Sequence, residues 1–163
     1  AASDVYKRQL IRFVNSFPPS MISLTNNKDL KPEDFPSDIK GLRMTKQRRE
    51  VLAVILRDRD HPTANDVFLR AQDRMPTISL ATVYNCLEAL VNHTIVRQVN
   101  LDRESSRYCP NLNDHCHFQD ESSGKIHDVV FKEGIKLADI LDLPKGTEIS
   151  HLDISLKGNF GNK

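Results

Sequence analysis

Between Thr45 and Val91 apolar residues recur at helical spacing, and after Ile95 they alternate with polar ones as strand residues do. Val51, Leu52, Ile55 and Leu56 mark a first helix capped by Thr45, with Arg43, Lys46, Arg48 and Arg49 around its start. Val67, Phe68 and Ala71 mark a second, running from a Thr63 cap, with Asp66 three residues on, to about Met75, where Pro76 ends it. A third starts at Ser79 and carries Leu80, Val83, Leu87, Leu90 and Val91 as one apolar stripe. Ile95–Val99 and Ser105–Cys109 then read as two strands of a hairpin around the polar loop Asn100–Glu104. Three helices followed by a hairpin are the order of a winged helix. Further on, Lys125–Phe131 and Glu148–Leu156 alternate as strands. Glu133–Leu143 is expected to be a helix packing through Ile135, Leu137, Ala138, Ile140 and Leu141, with a turn at Pro144 and Gly146. The fold class is therefore α+β, a winged helix-turn-helix domain over 41–110 followed by a small α/β domain over 111–163.

Residues 1–40 break this regularity, because Pro18, Pro19, Pro32 and Pro36 interrupt any period, and they are expected to form a flexible arm. Its opening, Ala1 to Gln9, resembles translated adapter sequence, which makes residues 1–20 suspect as native sequence and Met21 the expected natural start.

Composition narrows the class. At 163 residues and 39% hydrophobic, the chain is long enough for one ordinary core or two small ones. No apolar run approaches the roughly 20 residues that cross a bilayer, so no membrane role and a cytoplasmic location are expected. Three cysteines, Cys86, Cys109 and Cys116, make no disulfide framework and point to reduced thiols. The net charge of +1 is uninformative until it is divided. Residues 41–98 hold nine Lys/Arg against six Asp/Glu, and residues 99–163 hold eight against eleven, so a +3 segment precedes a −3 segment. That polarity suits a first half meeting phosphate and a second half holding cations.

Two features carry chemistry. The third helix presents Ser79, Ala81, Thr82, Tyr84 and Asn85 opposite its apolar stripe, a small and hydrogen-bonding face of the kind placed in a major groove. Basic side chains of helix one and the wing would then hold phosphates. His115 and His117 alternate in an extended segment, so both can face one ion while Cys116 faces away.

Five stretches in order, Gly41–Arg48, His61–Asp66, Ser79–Tyr84, His115–Phe118 and Gly124–Asp128, resemble the ferric uptake regulator family at that family's spacing, over about residues 41–158. The resemblance implies a homodimeric, metal-dependent repressor with a winged helix, an α/β dimerisation domain and a pseudo-palindromic double-stranded DNA operator. It adds Thr45, Gln47 and Arg48 to the DNA-binding set. It also implies one divalent metal per protomer, held by His61, Cys109, His115, His117 and Asp128. Taken without the resemblance, His61 reads as a helix-capping surface histidine, and Cys109 has a second reading as a buried wing residue.

Three departures qualify the match. Where most members carry a first Cys-x-x-Cys pair this chain has Asp120 and Ser123, and only Asn159 to Lys163 follow Gly158. No structural zinc held by four cysteines is therefore expected, and Asp120–Gly124 becomes a plain turn. Cys109 stands where iron- and peroxide-sensing members have a carboxylate. Its softer thiolate favours Zn2+, with Fe2+ or Mn2+ and peroxide sensing as the alternative. Asn85 replaces an Arg common after the Tyr, which shifts the expected base preference from guanine toward adenine. Of an accessory metal site, only Asp114 and His151 have counterparts. A metallohydrolase is disfavoured because no Glu is placed as a general base, so the chain is read as no enzyme. A storage or chaperone protein that binds ions without DNA is the other rival.

Overall fold

The computed structural model describes residues 30–101, 104–112, 115–132, 141–149 and 153–160. The chain divides into two compact units, the first ending at Leu112 and the second beginning at Asn113.

In the first unit a 3-10 turn (Pro32–Asp34) and a two-residue hairpin, β1 (Asp38–Ile39) and β2 (Leu42–Arg43), precede α1 (Lys46–Asp58), α2 (Ala64–Gln72) and α3 (Leu80–Asn92). The wing follows as β3 (Arg97–Val99) and β4 (Arg107–Cys109). Each helix begins on the residue its sequence marks. Thr45 Oγ1 accepts from Arg48 N at 3.3 Å, and Ser79 Oγ accepts from Thr82 N at 3.1 Å. Thr63 and Asp66 close a reciprocal capping box, with Thr63 N donating to Asp66 Oδ2 at 2.9 Å and Asp66 N donating to Thr63 Oγ1 at 3.2 Å.

The core joins Val51, Leu52, Val54 and Ile55 of α1 to Val67 and Ala71 of α2 and to Val83, Cys86, Leu87 and Leu90 of α3. The α3 stripe differs from the pattern at two positions. Leu80, in the first helical turn, is exposed, and Cys86 is buried, because position 86 lies three residues after Val83 and four before Leu90 on the packed face.

Residues 30–40 are not an arm. Leu30, Phe35 and Ile39 are buried against the helices. Lys40 and Gly41 both take positive φ, 52° and 80°, in the two-residue turn that joins β1 to β2, the backbone of a type I′ hairpin. The buried Glu50 carboxylate pairs with Arg57 at 3.4 Å, and Arg57 Nε donates to Leu30 O at 2.9 Å. Prolines break helices, but they do not prevent irregular chain from covering an apolar surface. The part of the expected arm before residue 30 lies outside the described residues.

In the second unit β5 (Cys116–Asp120) is the central strand, with β6 (Ile126–Val129) antiparallel on one side and β7 (Ser155–Gly158) parallel on the other. The connection from β5 to β6 is the expected turn. Asp120 accepts from the hydroxyls of Ser122 and Ser123, and Gly124, at φ 67°, donates its N–H to Asp120 O at 2.7 Å. Of the strand expected over Glu148–Leu156, residues 150–152 lie outside the described residues, Glu148, Ile149, Asp153 and Ile154 are not in a strand, and Ser155 and Leu156 pair with β5 as part of β7. Most of the expected helix Glu133–Leu143 lies outside the described residues, and Leu141–Leu143 is not helical. Among the described residues no helix is long and apolar enough to cross a membrane.

Candidate metal centre and DNA-reading surface

In the first unit the wing clamps the segment between α1 and α2. Tyr108 N donates to Pro62 O at 3.0 Å, Arg107 Nη1 donates to His61 O at 3.3 Å, and Thr63 bridges Arg107. Cys109, next along β4, is thereby set beside His61, and their ligand atoms lie within 4.8 Å of each other. His61 has a left-handed backbone, φ 56°, and is only 2% exposed. The cap of α2 is Thr63, so the reading of His61 as a capping surface histidine is wrong. Cys109 is fully buried, and its Sγ accepts from Asn111 N at 3.3 Å. An amide aimed at sulfur stabilises a thiolate ligand.

The loop bearing His61 is braced by charge. Arg70 on α2 donates to both carboxylate oxygens of Asp60, at 2.9 and 2.6 Å, and reaches Asp58 Oδ2 at 3.2 Å. The Arg70 hydrogen bond holds the Asp60 carboxyl below its ordinary pKa. Sequence reading missed this brace, because nothing in the spacing from 58 to 70 separates it from a solvated charge run.

In the second unit His117 on β5 and His115, the residue just before that strand, bring their rings together, and the register places Asp128 of β6 opposite His117. The two Nε2 atoms are 3.0 Å apart, and Asp128 Oδ1 is 3.4 Å from the first and 3.9 Å from the second. Both rings are buried, and Asp128 is partly open to solvent. Ligand atoms arranged tetrahedrally about 2.1 Å from a zinc ion are about 3.4 Å from one another. The trio therefore fits a divalent cation in spacing as well as in donor type. Cys116 alternates to the other face, away from the two imidazoles, and burial pushes its thiol pKa up.

On the surface of the first unit Thr45, Gln47, Ser79, Ala81, Tyr84 and Asn85 are exposed, and Arg48 and Thr82 half-buried. Three of these side chains also shape the helices. The hydroxyls of Thr45 and Ser79 are cap acceptors, and Thr82 Oγ1 shares a 2.8 Å hydrogen bond with Ser79 Oγ. Arg48 Nη1 donates to Arg43 O at 2.8 Å. Gln47, Tyr84 and Asn85 are left as the exposed side chains with polar ends to offer.

The model of the ferric uptake regulator family matches residues 39–157. The chain belongs to that family. The peroxide operon regulator of Bacillus subtilis is 30% identical over 118 residues, spanning 72% of this chain and 81% of the relative. The peroxide-responsive repressor PerR of Staphylococcus epidermidis is 27% identical over 118 residues, 72% of this chain and 79% of its own length. Among solved structures, the Campylobacter jejuni peroxide stress regulator superposes with a TM-score of 0.59 at 28% identity, over 72% of this chain and 87% of that one. A zinc-bound manganese uptake regulator gives 0.57 at 27%, over 74% and 92%. The α+β class with an N-terminal winged helix is shared across these family structures.

Proposed function

We propose that this chain is a metal-responsive transcriptional repressor that acts as a homodimer on double-stranded DNA in the cytoplasm. His61, Cys109, His115, His117 and Asp128 ligate one divalent cation. The observation that carries this reading is the buried pair of imidazole nitrogens 3.0 Å apart with the Asp128 carboxylate at 3.4 Å, in a chain of this family. When bound, the cation supplies a cross-link among residues from both sides of the division at Leu112. His61 and Cys109 transmit that link into the winged helix, since both are held by the wing and by the chain leading into α2. The energetic demand is modest, because a 10⁴-fold preference for the DNA-binding form amounts to about 5.5 kcal/mol. Gln47, Tyr84 and Asn85 read bases, and Arg43, Lys46 and Arg48 meet phosphate.

Zinc is the favoured ion, because Cys109 contributes a soft sulfur where a carboxylate would suit ferrous iron. The second reading is a peroxide sensor using Fe(II) at the same residues, and the names of the B. subtilis, S. epidermidis and C. jejuni relatives favour it.

Two measurements test the proposal. In a mobility-shift titration against a family-type operator, zinc is expected to promote binding by the parent and to do nothing for a His115→Ala/His117→Ala double variant. Equal binding by both proteins overturns the reading. Metal analysis of the parent and of Cys109→Asp is expected to give zinc in the first and a shift toward iron in the second. Identical metal contents remove Cys109 as the selector.

A further inference from the structure

His117 is flanked by a carboxylate at each ring nitrogen. Nε2 lies toward His115 and Asp128, and Nδ1 lies 4.0 Å from Oδ1 of Asp153. The arrangement follows from the sheet. β5 is the central strand, so His117 has a neighbour on both sides, Asp128 on β6 and Ser155 on β7. His117 N donates to Ile154 O at 2.9 Å, which fixes the register at the start of β7. Partners in register point to one face, and alternation returns to that face two residues earlier, at Asp153. The imidazole is nearly inaccessible, whereas the Asp153 side chain is 46% exposed, so this carboxylate keeps solvent contact while facing a buried ring.

We propose that Asp153 is a positioning residue for the metal centre: it accepts the Nδ1–H of His117, selecting the tautomer whose Nε2 lone pair faces the ion. The inference rests on the metal-site reading above. A neutral imidazole carries its proton on one nitrogen only, and a proton on Nε2 would block ligation. A carboxylate on the Nδ1 side stabilises the competent form, holds the ring plane and raises the donor strength of Nε2. A 4.0 Å separation closes to a hydrogen bond by a small side-chain rotation or through one bridging water. Asp128 cannot take this part, because it lies on the Nε2 side. The two carboxylates thus have separate tasks, one ligating and one orienting.

The test uses the full chain. Long-range ¹H–¹⁵N spectra of the metal-free parent report the His117 tautomer directly, and chelator competition with Zn(II) reports affinity. We expect the Nδ1–H tautomer in the parent, a mixture of tautomers in Asp153→Ala, and zinc binding weakened about 10- to 100-fold in that variant. Asp153→Asn, which retains an acceptor, should keep the tautomer and lose less affinity. An Nε2–H tautomer in the metal-free parent overturns the proposal whether or not the alanine variant folds. So does a folded Asp153→Ala that binds zinc within twofold of the parent. A parent that binds no zinc, or a His117→Ala variant that binds like the parent, instead overturns the metal site itself and the orienting role with it.

Discussion

Cys109 and Cys116 are both buried, and only their positions on their strands separate their chemistry. Cys109 follows the two β4 residues bonded to the chain around His61, and its sulfur accepts an amide hydrogen bond. Cys116 points to the face of β5 opposite the histidines, and burial raises its thiol pKa. Cys86 is packed in the helical core, where burial likewise raises its pKa. Cys109→Ser is therefore expected to weaken zinc binding at least tenfold, and Cys116→Ser to leave both affinity and stoichiometry unchanged, as measured by chelator competition. Thr63 also matters individually. It caps α2 two residues after His61, so Thr63→Ala should lower stability by about 1 kcal/mol, read from the urea midpoint.

At the scale of elements, the connection from α1 to α2 is the part that primary structure describes least well. Its ends were legible, since Thr63, Asp66 and the apolar spacing announce α2. Its fixation was not, because the left-handed His61, the wing contacts and the Arg70 brace are all made by residues distant in sequence. The brace predicts a pH signature. The Asp60 pKa is lower in the folded protein than its ordinary 3.8, chiefly through the Arg70 hydrogen bond, so the carboxylate form favours folding. The contribution is complete above the ordinary value and disappears as pH falls through the lowered one. Because both side chains are partly exposed, it amounts to no more than about 1 kcal/mol. The stability difference between the parent and Asp60→Asn should be present at pH 7 and shrink as pH falls below the ordinary 3.8 in urea titrations. A difference that grows on acidification would contradict the brace. The β1–β2 hairpin was hidden for another reason. Lys40–Gly41 is not among the strongest turn dipeptides, and the strands on either side are too short to show alternation.

For the whole molecule, the DNA-reading unit should behave as a phosphate binder with a short specific face. Replacing Arg43 and Lys46 by alanine is expected to weaken operator and non-operator DNA alike. The dependence of affinity on salt should flatten at the same time, by about one unit of slope for each phosphate no longer neutralised. Asn85→Arg should instead alter which operator sequence is preferred, toward guanine at one position, in a binding selection. If the charge variants changed sequence preference and Asn85→Arg did not, the assignment of the two sets would be reversed.

Sequence alone determined the helices, their caps, the wing and the turn at Asp120–Gly124, because each depends on residues near one another along the chain, whereas the full list of candidate ligands came only from the family resemblance. Spacing within a strand likewise sufficed to put His115 and His117 on one face. Only the tertiary structure decided that Leu30, Phe35 and Ile39 belong to the core, that His61 is buried, and that Asp153 faces the second nitrogen of His117. Those facts depend on which distant segments pack or pair together. Local periodicity is insensitive to such pairings, and the free energy of packing fixes them.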